Sequence, residues 1–186
     1  RNFLKATGAL TLATAGSISA MARANTPHHV VVIGAGVGGA TFAKYLRMQD
    51  PAMKITMIEK NDHYLRPYGS SEVIPGHITM DDLVVKYDAL QNKYGIDFVF
   101  DEVTDIDFDA QQVKTKGGQS VGYDRLMVSP GISFNFDAIE GLDAEVAETQ
   151  IPHAWIPGDQ TQLLHEQLKA VPEGGTAIIA PPPNPY

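Results

Sequence analysis

The sequence of 186 residues is 44% hydrophobic and carries a net charge of −8. That is enough chain for about one domain or a little more, with an apolar core of its own. The acidic balance excludes a nucleic-acid partner and a basic membrane-surface patch, and the absence of cysteine excludes disulfides, thiolate metal sites and cysteine nucleophiles within these residues.

The chain opens on Arg1-Asn2-Phe3-Leu4-Lys5, followed by a weakly apolar run rich in Ala, Thr and Gly from Ala6 to Ala20. Two small-x-small sites follow, Ala20-Met21-Ala22 and Ala22-Arg23-Ala24. Charged start, apolar middle and small-residue cleavage site describe an export signal. The first five residues resemble the end of a twin-arginine signal, which implies export to the periplasm of a protein already folded around its cofactor. Residues 1–24 are therefore set apart from the fold. Past them no uninterrupted apolar stretch is long enough to form a transmembrane segment.

Residues 29–60 carry the strongest pattern. Val30-Val31-Val32-Ile33 reads as a buried strand, Gly34-Ala35-Gly36-Val37-Gly38-Gly39 as a turn, and Ala40 to Met48 as a helix with Ala40, Ala43 and Leu46 on one face. Asp50-Pro51 breaks that helix, and a second apolar run, Ile55 to Ile58, ends in Glu59. Strand, glycine turn, helix, strand and acid make a βαβ unit with a dinucleotide fingerprint. Gly34 allows the tight turn out of the strand. Gly36 lets the backbone approach a pyrophosphate, and Gly38 belongs to the same turn. Gly39 lets the helix pack close to the sheet. Glu59 lies 20 residues past Gly39, where a carboxylate accepts the hydroxyls of an adenosine ribose and repels a 2′-phosphate. The spacing alone leaves FAD and NAD both open.

Lys60 to Gly69 is polar, aromatic and turn-rich and reads as a loop at the ligand-binding edge, with Lys60, Tyr64 and Arg66 as candidate contacts. Asp81 or Asp82 reads as the N-cap of a helix running to about Tyr94, with Leu83, Tyr87 and Leu90 on its apolar face and Gly95 as its stop. Three strands follow: Ile96 to Phe100, Glu102 to Phe108, and Gln112 to Thr115 turning at Gly117-Gly118. The acids Asp101, Glu102, Asp105, Asp107 and Asp109 read as a solvated strand face. Neither they nor His28, His29, His63, His77, His153 and His165 show metal-ligand spacing, so no metal is expected. Leu126-Met127-Val128 is a buried strand ending at Ser129-Pro130-Gly131, and Phe134 to Gly141 is a loop. Gln160 to Val171 is a helix, and Thr176 to Ala180 a new strand before the proline-rich end.

Several of these segments together resemble the flavoprotein subunit of flavocytochrome c sulfide dehydrogenase, a family related to sulfide:quinone oxidoreductase. They are Arg1 to Lys5, Val30 to Leu46, Tyr68 to Gly76, Tyr123 to Gly131, Asp137 to Gly141, Pro152-His153-Ala154-Trp155, Gln160 to Leu168, and Gly174 to Pro185. The resemblance implies an α/β fold: the Rossmann-like FAD-binding domain of a glutathione-reductase-like flavoprotein with two dinucleotide-binding domains, the second truncated. On that reading, 1–24 is the export signal and 25–145 the FAD-binding domain. Residues 146–186 are a linker, a helix and the first strand of the second domain, and the chain is an N-terminal fragment. The resemblance further implies an enzyme that oxidises a small inorganic sulfur species, most simply sulfide, and hands electrons to a c-type cytochrome subunit. Gly34, Gly36 and Gly39 would hold the pyrophosphate, Glu59 the ribose and Val103 the adenine through its backbone, and Ser129 and Gly131 would line the FAD. Where family members carry a cysteine bound to the flavin, this chain has Pro67, which implies noncovalent FAD. The family's redox cysteines are expected downstream of Tyr186, so no catalytic residue is assigned. The alternatives are an FAD enzyme of the NADH or quinone oxidoreductase type, and an inert FAD-binding module.

Overall fold

The computed structural model describes residues 28–180. The export signal expected at 1–24 and the proline-rich end at 181–186 lie outside the described residues. In chain order the strands are β1 (His29–Ile33), β2 (Lys54–Glu59), β3 (His63–Leu65), β4 (Val84–Lys86), β5 (Asp97–Phe100), β6 (Val103–Asp107), β7 (Gln112–Thr115), β8 (Ser120–Gly122) and β9 (Arg125–Val128). The helices are α1 (Val37–Gln49), α2 (Ser70–Val73), α3 (Ala144–Thr149) and α4 (Asp159–Ala170). The described residues form two units, 28–60 with Leu90–Pro130, and Asn61–Ala89 with 131–180.

The first unit is built on a parallel four-stranded sheet in the order β5-β2-β1-β9. Its central strands are apolar runs because both faces are covered. Val31 and Ile33 point into one core with Ile58 and Val113, on which Val103, Ile106 and Val121 of the antiparallel sheet β6-β7-β8 pack. Val32, between them, faces the opposite way, against α1 at Gly39, as the two-residue period of a strand requires. Arg47, near the end of α1, donates to the carbonyls of Pro51 (2.7 Å) and Gly95 (3.0 Å) and ties the helix to the segment leading into β5.

In the second unit β3 and β4 pair antiparallel. Leu83 and Val73 are buried there, and the Leu83 side chain lies so close to Gly69 that a Cβ at 69 would stand 2.3 Å from it. His165 of α4 donates from Nδ1 to the carbonyl of Ile74 at 2.9 Å, joining α4 to the end of α2.

Three sequence expectations are corrected. The loop expected at Lys60 to Gly69 contains β3 and a 3-10 turn, Pro67–Gly69. The helix expected from Asp81 to Tyr94 is instead a 3-10 turn (Asp81–Leu83), β4, and a single π turn (Ala89–Lys93). The Asp82 carboxylate is taken by the amide and hydroxyl of Thr79, both at 2.8 Å, which closes a turn rather than capping a longer helix. In the second unit, α3 is capped by Asp143, whose carboxylate accepts the Val146 N–H. Finally, Thr176 to Ala180 forms no strand among the described residues: Ile178 and Ile179 are 88% and 91% exposed. A strand exists only where a neighbour supplies the other half of its hydrogen bonds.

Candidate functional site

The residues of the fingerprint meet at the carboxyl ends of β1, β2 and β9. Gly34 leaves β1 with φ +88°, a left-handed conformation that favours glycine, and its N–H donates to the carbonyl of Ile58 at 2.9 Å. A Cβ on Gly34 would stand 2.1 Å from the Ser129 carbonyl oxygen, and one on Gly39 would stand 1.9 Å from the Gly34 oxygen. Gly38 faces the Ser129 hydroxyl, 2.8 Å from where its Cβ would be. Gly34 and Gly39 are therefore demanded by the protein's own backbone, with Ser129 also donating its N–H to the Ile33 carbonyl at 2.8 Å.

Gly36 is the N-cap of α1 and offers no side chain to the first helical amides. By helix geometry those amides have no intrahelical acceptor, and the helix dipole favours an anion beside them. Glu59, at the end of β2, accepts the Ala35 N–H on Oε2 at 2.8 Å. Beyond it the Asp101 amide donates to the Glu59 carbonyl at 3.0 Å and carries the chain from β5 to Val103 at the head of β6. Hydrogen bonds, first from Thr115 and then from the Gly117 amide, hold the Asp101 carboxyl below the usual range.

Uncapped helix, side-chain-free turn and a carboxylate at the end of the next strand fit a dinucleotide pyrophosphate and ribose. Gly34, Gly36, Gly38, Gly39, Glu59 and Ser129 are thus brought together in one unit. Val103 follows the end of β5, packed against the core, and Lys60 is exposed directly after Glu59. Arg66 and Gly131 belong to the second unit. Arg66 donates to the Asp82 carbonyl at 3.3 Å and lies over the Tyr68 ring, and Gly131 has φ +84° with open space where a Cβ would go. Tyr64, in β3, has its hydroxyl pKa raised by burial. Ala35 was not legible as a site residue, because its contribution is a backbone amide and its side chain carries no signal.

The second unit also holds an open cleft of about 520 Å³ lined by Phe134, Phe136, Glu148, His153 and Gln160, among others. The His153 ring lies 4.4 Å from Phe134, and burial lowers its pKa below 6.5.

A profile of the pyridine nucleotide-disulphide oxidoreductase family matches residues 28–171. The chain belongs to that family. Its members are oxidoreductases that bind FAD. Among curated proteins, the sulfide-quinone reductase of Aquifex aeolicus is 38% identical over 99 residues, covering 50% of this chain and 22% of that protein. The type II NADH:quinone oxidoreductase of Staphylococcus saprophyticus is 35% identical over 91 residues, covering 48% and 23%. The crystal structure of the sulfide:quinone oxidoreductase of Aquifex aeolicus matches with a TM-score of 0.65 at 31% identity, over 76% of this chain and 32% of that one. The chain thus spans 22–23% of the length of these curated relatives. The Rossmann-like fold expected from the sequence is the one found. Among the described residues no helix is long and apolar enough to cross a membrane.

Proposed function

We propose that this chain is the FAD-binding portion of an exported oxidoreductase that oxidises sulfide or another reduced sulfur species and passes the electrons to a c-type cytochrome subunit. The observation that carries the cofactor part is the Gly34–Gly39 turn, closed by Ser129 and Glu59 around an uncapped helix end. Gly34, Gly36, Gly38 and Gly39 would border the pyrophosphate, Glu59 would accept from the ribose, and Ser129 and Gly131 would flank the cofactor. Once bound, FAD supplies a two-electron acceptor for the donor. Noncovalent attachment rests on Pro67 at the position where the resembling family carries its flavin-linked cysteine. The sulfur donor is supported by similarity to a sulfide-quinone reductase, and the cytochrome and the periplasm by the family resemblance and the Arg1 to Lys5 pattern.

A second reading, an NADH- or quinone-linked enzyme, is supported by the 35% identity to a type II NADH:quinone oxidoreductase. One anaerobic experiment on the whole native protein separates the two. Sulfide and NADH are added in turn while the flavin absorbance is followed, with oxidised c-type cytochrome and a soluble quinone offered as acceptors. Bleaching by sulfide with reduction of the cytochrome is the expected result. Bleaching by NADH alone overturns the proposal and installs the second reading.

A further inference from the structure

We propose that Glu59 is a positioning residue for the glycine turn as well as a ribose ligand, clamping the Ala35 amide so that the turn is set before any dinucleotide arrives. This rests on the dinucleotide-binding reading above and deepens it.

Two consecutive amides of the turn bond to two consecutive residues of β2. Gly34 N–H donates to the Ile58 carbonyl at 2.9 Å, and Ala35 N–H donates to Glu59 Oε2 at 2.8 Å. The first bond is backbone to backbone, so any residue at 58 would supply it. The second exists only because position 59 carries an acceptor of the right length. Ala35 is 1% exposed, so its amide has little access to water if that acceptor is lost. A buried amide left without a partner is costly, and the turn would move to find one.

The helix start explains why such a clamp is needed. Most helices are fixed at their first turn by a Ser, Thr, Asp or Asn at the N-cap. Here the N-cap is Gly36, which has no side chain to offer. A capping side chain would also occupy the place of the anion. The carboxylate reaches the turn from the neighbouring strand instead, one residue before the cap, and leaves the helix amides clear. An ionised carboxylate has two oxygens and about four acceptor sites, so holding Ala35 does not consume its capacity for ribose hydroxyls.

The test uses the whole protein, freed of flavin, as wild type, Glu59→Ala and Glu59→Gln. Affinity is measured for FAD and for an FAD analogue whose adenosine ribose lacks both hydroxyls. If Glu59 served the ribose alone, Glu59→Ala and wild type would bind the analogue equally, and that result would overturn the proposal. The expected result is an additional loss of about tenfold for the analogue in Glu59→Ala, the size of one hydrogen bond to a charged group. Glu59→Gln keeps an acceptor oxygen and should recover most of it. Amide hydrogen exchange of flavin-free protein gives the independent readout. Exchange at Ala35 should rise about tenfold in Glu59→Ala while amides in the middle of β1 stay protected. Unchanged exchange at Ala35 would also overturn the clamp. Failure of the wild type to bind FAD would sink the dinucleotide reading instead, and the exchange result would still decide whether Glu59 holds the turn.

Discussion

The carbonyl oxygen of Ser129 stands where a side chain on Gly34 would have to go, 2.1 Å from the position of its Cβ. The end of β9 and the start of the fingerprint turn therefore interlock through backbone atoms that have nowhere to move. Gly34→Ala adds a Cβ at φ +88° and forces that contact, so it should destabilise the protein by about 2–5 kcal/mol and abolish flavin retention. Gly131→Ala is the control. It has a similar φ of +84° but nothing within 4 Å, so only the backbone strain of about 1–2 kcal/mol should appear. Urea unfolding of both variants checks the difference. Equal losses would mean that conformation, not the Ser129 contact, fixes glycine at position 34.

A second interlock sits at the other end of the same strands. Asp124 Oδ2 accepts the His29 amide at 2.7 Å, and the Asp124 amide donates to the His29 carbonyl at 2.8 Å. The pair sets the register in which β9 joins β1. Asp124→Ala keeps the second bond and loses the first, leaving the His29 amide at the mouth of the sheet short of an acceptor. We expect a loss of about 1–2 kcal/mol in chemical denaturation, with Asp124→Asn recovering about half. Flavin content should be unchanged, because the site lies at the opposite ends of β1 and β9.

What was legible in the sequence follows from where one periodicity had no rival. Val30 to Ile33 and Ile55 to Ile58 are too apolar and too short for anything but buried strands, and the glycines between them admit few alternatives. The 81–94 segment failed because Leu83, Tyr87 and Leu90 fit a helical period by accident. Leu83 and Tyr87 are indeed buried, but the intervening Val84 and Val85 are β-branched and form β4 against Leu65 and Tyr64. That pair of valines was the available signal. At the site, side-chain acceptors and glycine positions were legible, whereas the Ala35 amide and the Ser129 carbonyl were not. Backbone groups are the same in every residue, and only the fold decides which of them face a site.

Stability should fall as the solution is acidified through the histidine range. Burial, reinforced by Lys54, lowers the pKa of His29 below 6.5, and burial does the same for His153. Each is therefore more readily protonated in the unfolded chain than in the folded one. Above pH 6.5 both are neutral in both states and contribute no slope. Below it the unfolded chain gains protons first, so stability drops until the folded histidines titrate in turn, with a slope of at most about 1.4 kcal/mol per pH unit for each. The exposed carboxylates Asp82, Asp101 and Asp105, held below 3.8 by their hydrogen bonds, lose their contribution only at still lower pH. Urea midpoints measured across the two ranges should show two separate declines, and His153→Gln should shallow the first. A flat profile down to the carboxylate range would contradict the half-buried state of both histidines.

Pro67 opens the 3-10 turn that runs to Gly69, and its carbonyl accepts the Ser70 hydroxyl at 2.8 Å. Proline presents no nucleophile, so this position offers no atom for a bond to the flavin. Acid precipitation of the whole protein should leave all the flavin in the supernatant, and the denatured polypeptide should carry no added flavin mass. Introducing a thiol by Pro67→Cys tests the position itself. The proline at the first position of this turn is pre-set in φ and gives up no backbone donor, so the replacement should cost the turn no more than about 1 kcal/mol. If this residue aligns with the flavin-linked cysteine of the resembling family, some of the variant's flavin should stay with the precipitated protein. If all of it still washes out, the alignment of this turn is wrong. Flavin bound to the wild-type precipitate would mean that attachment runs through a different residue altogether.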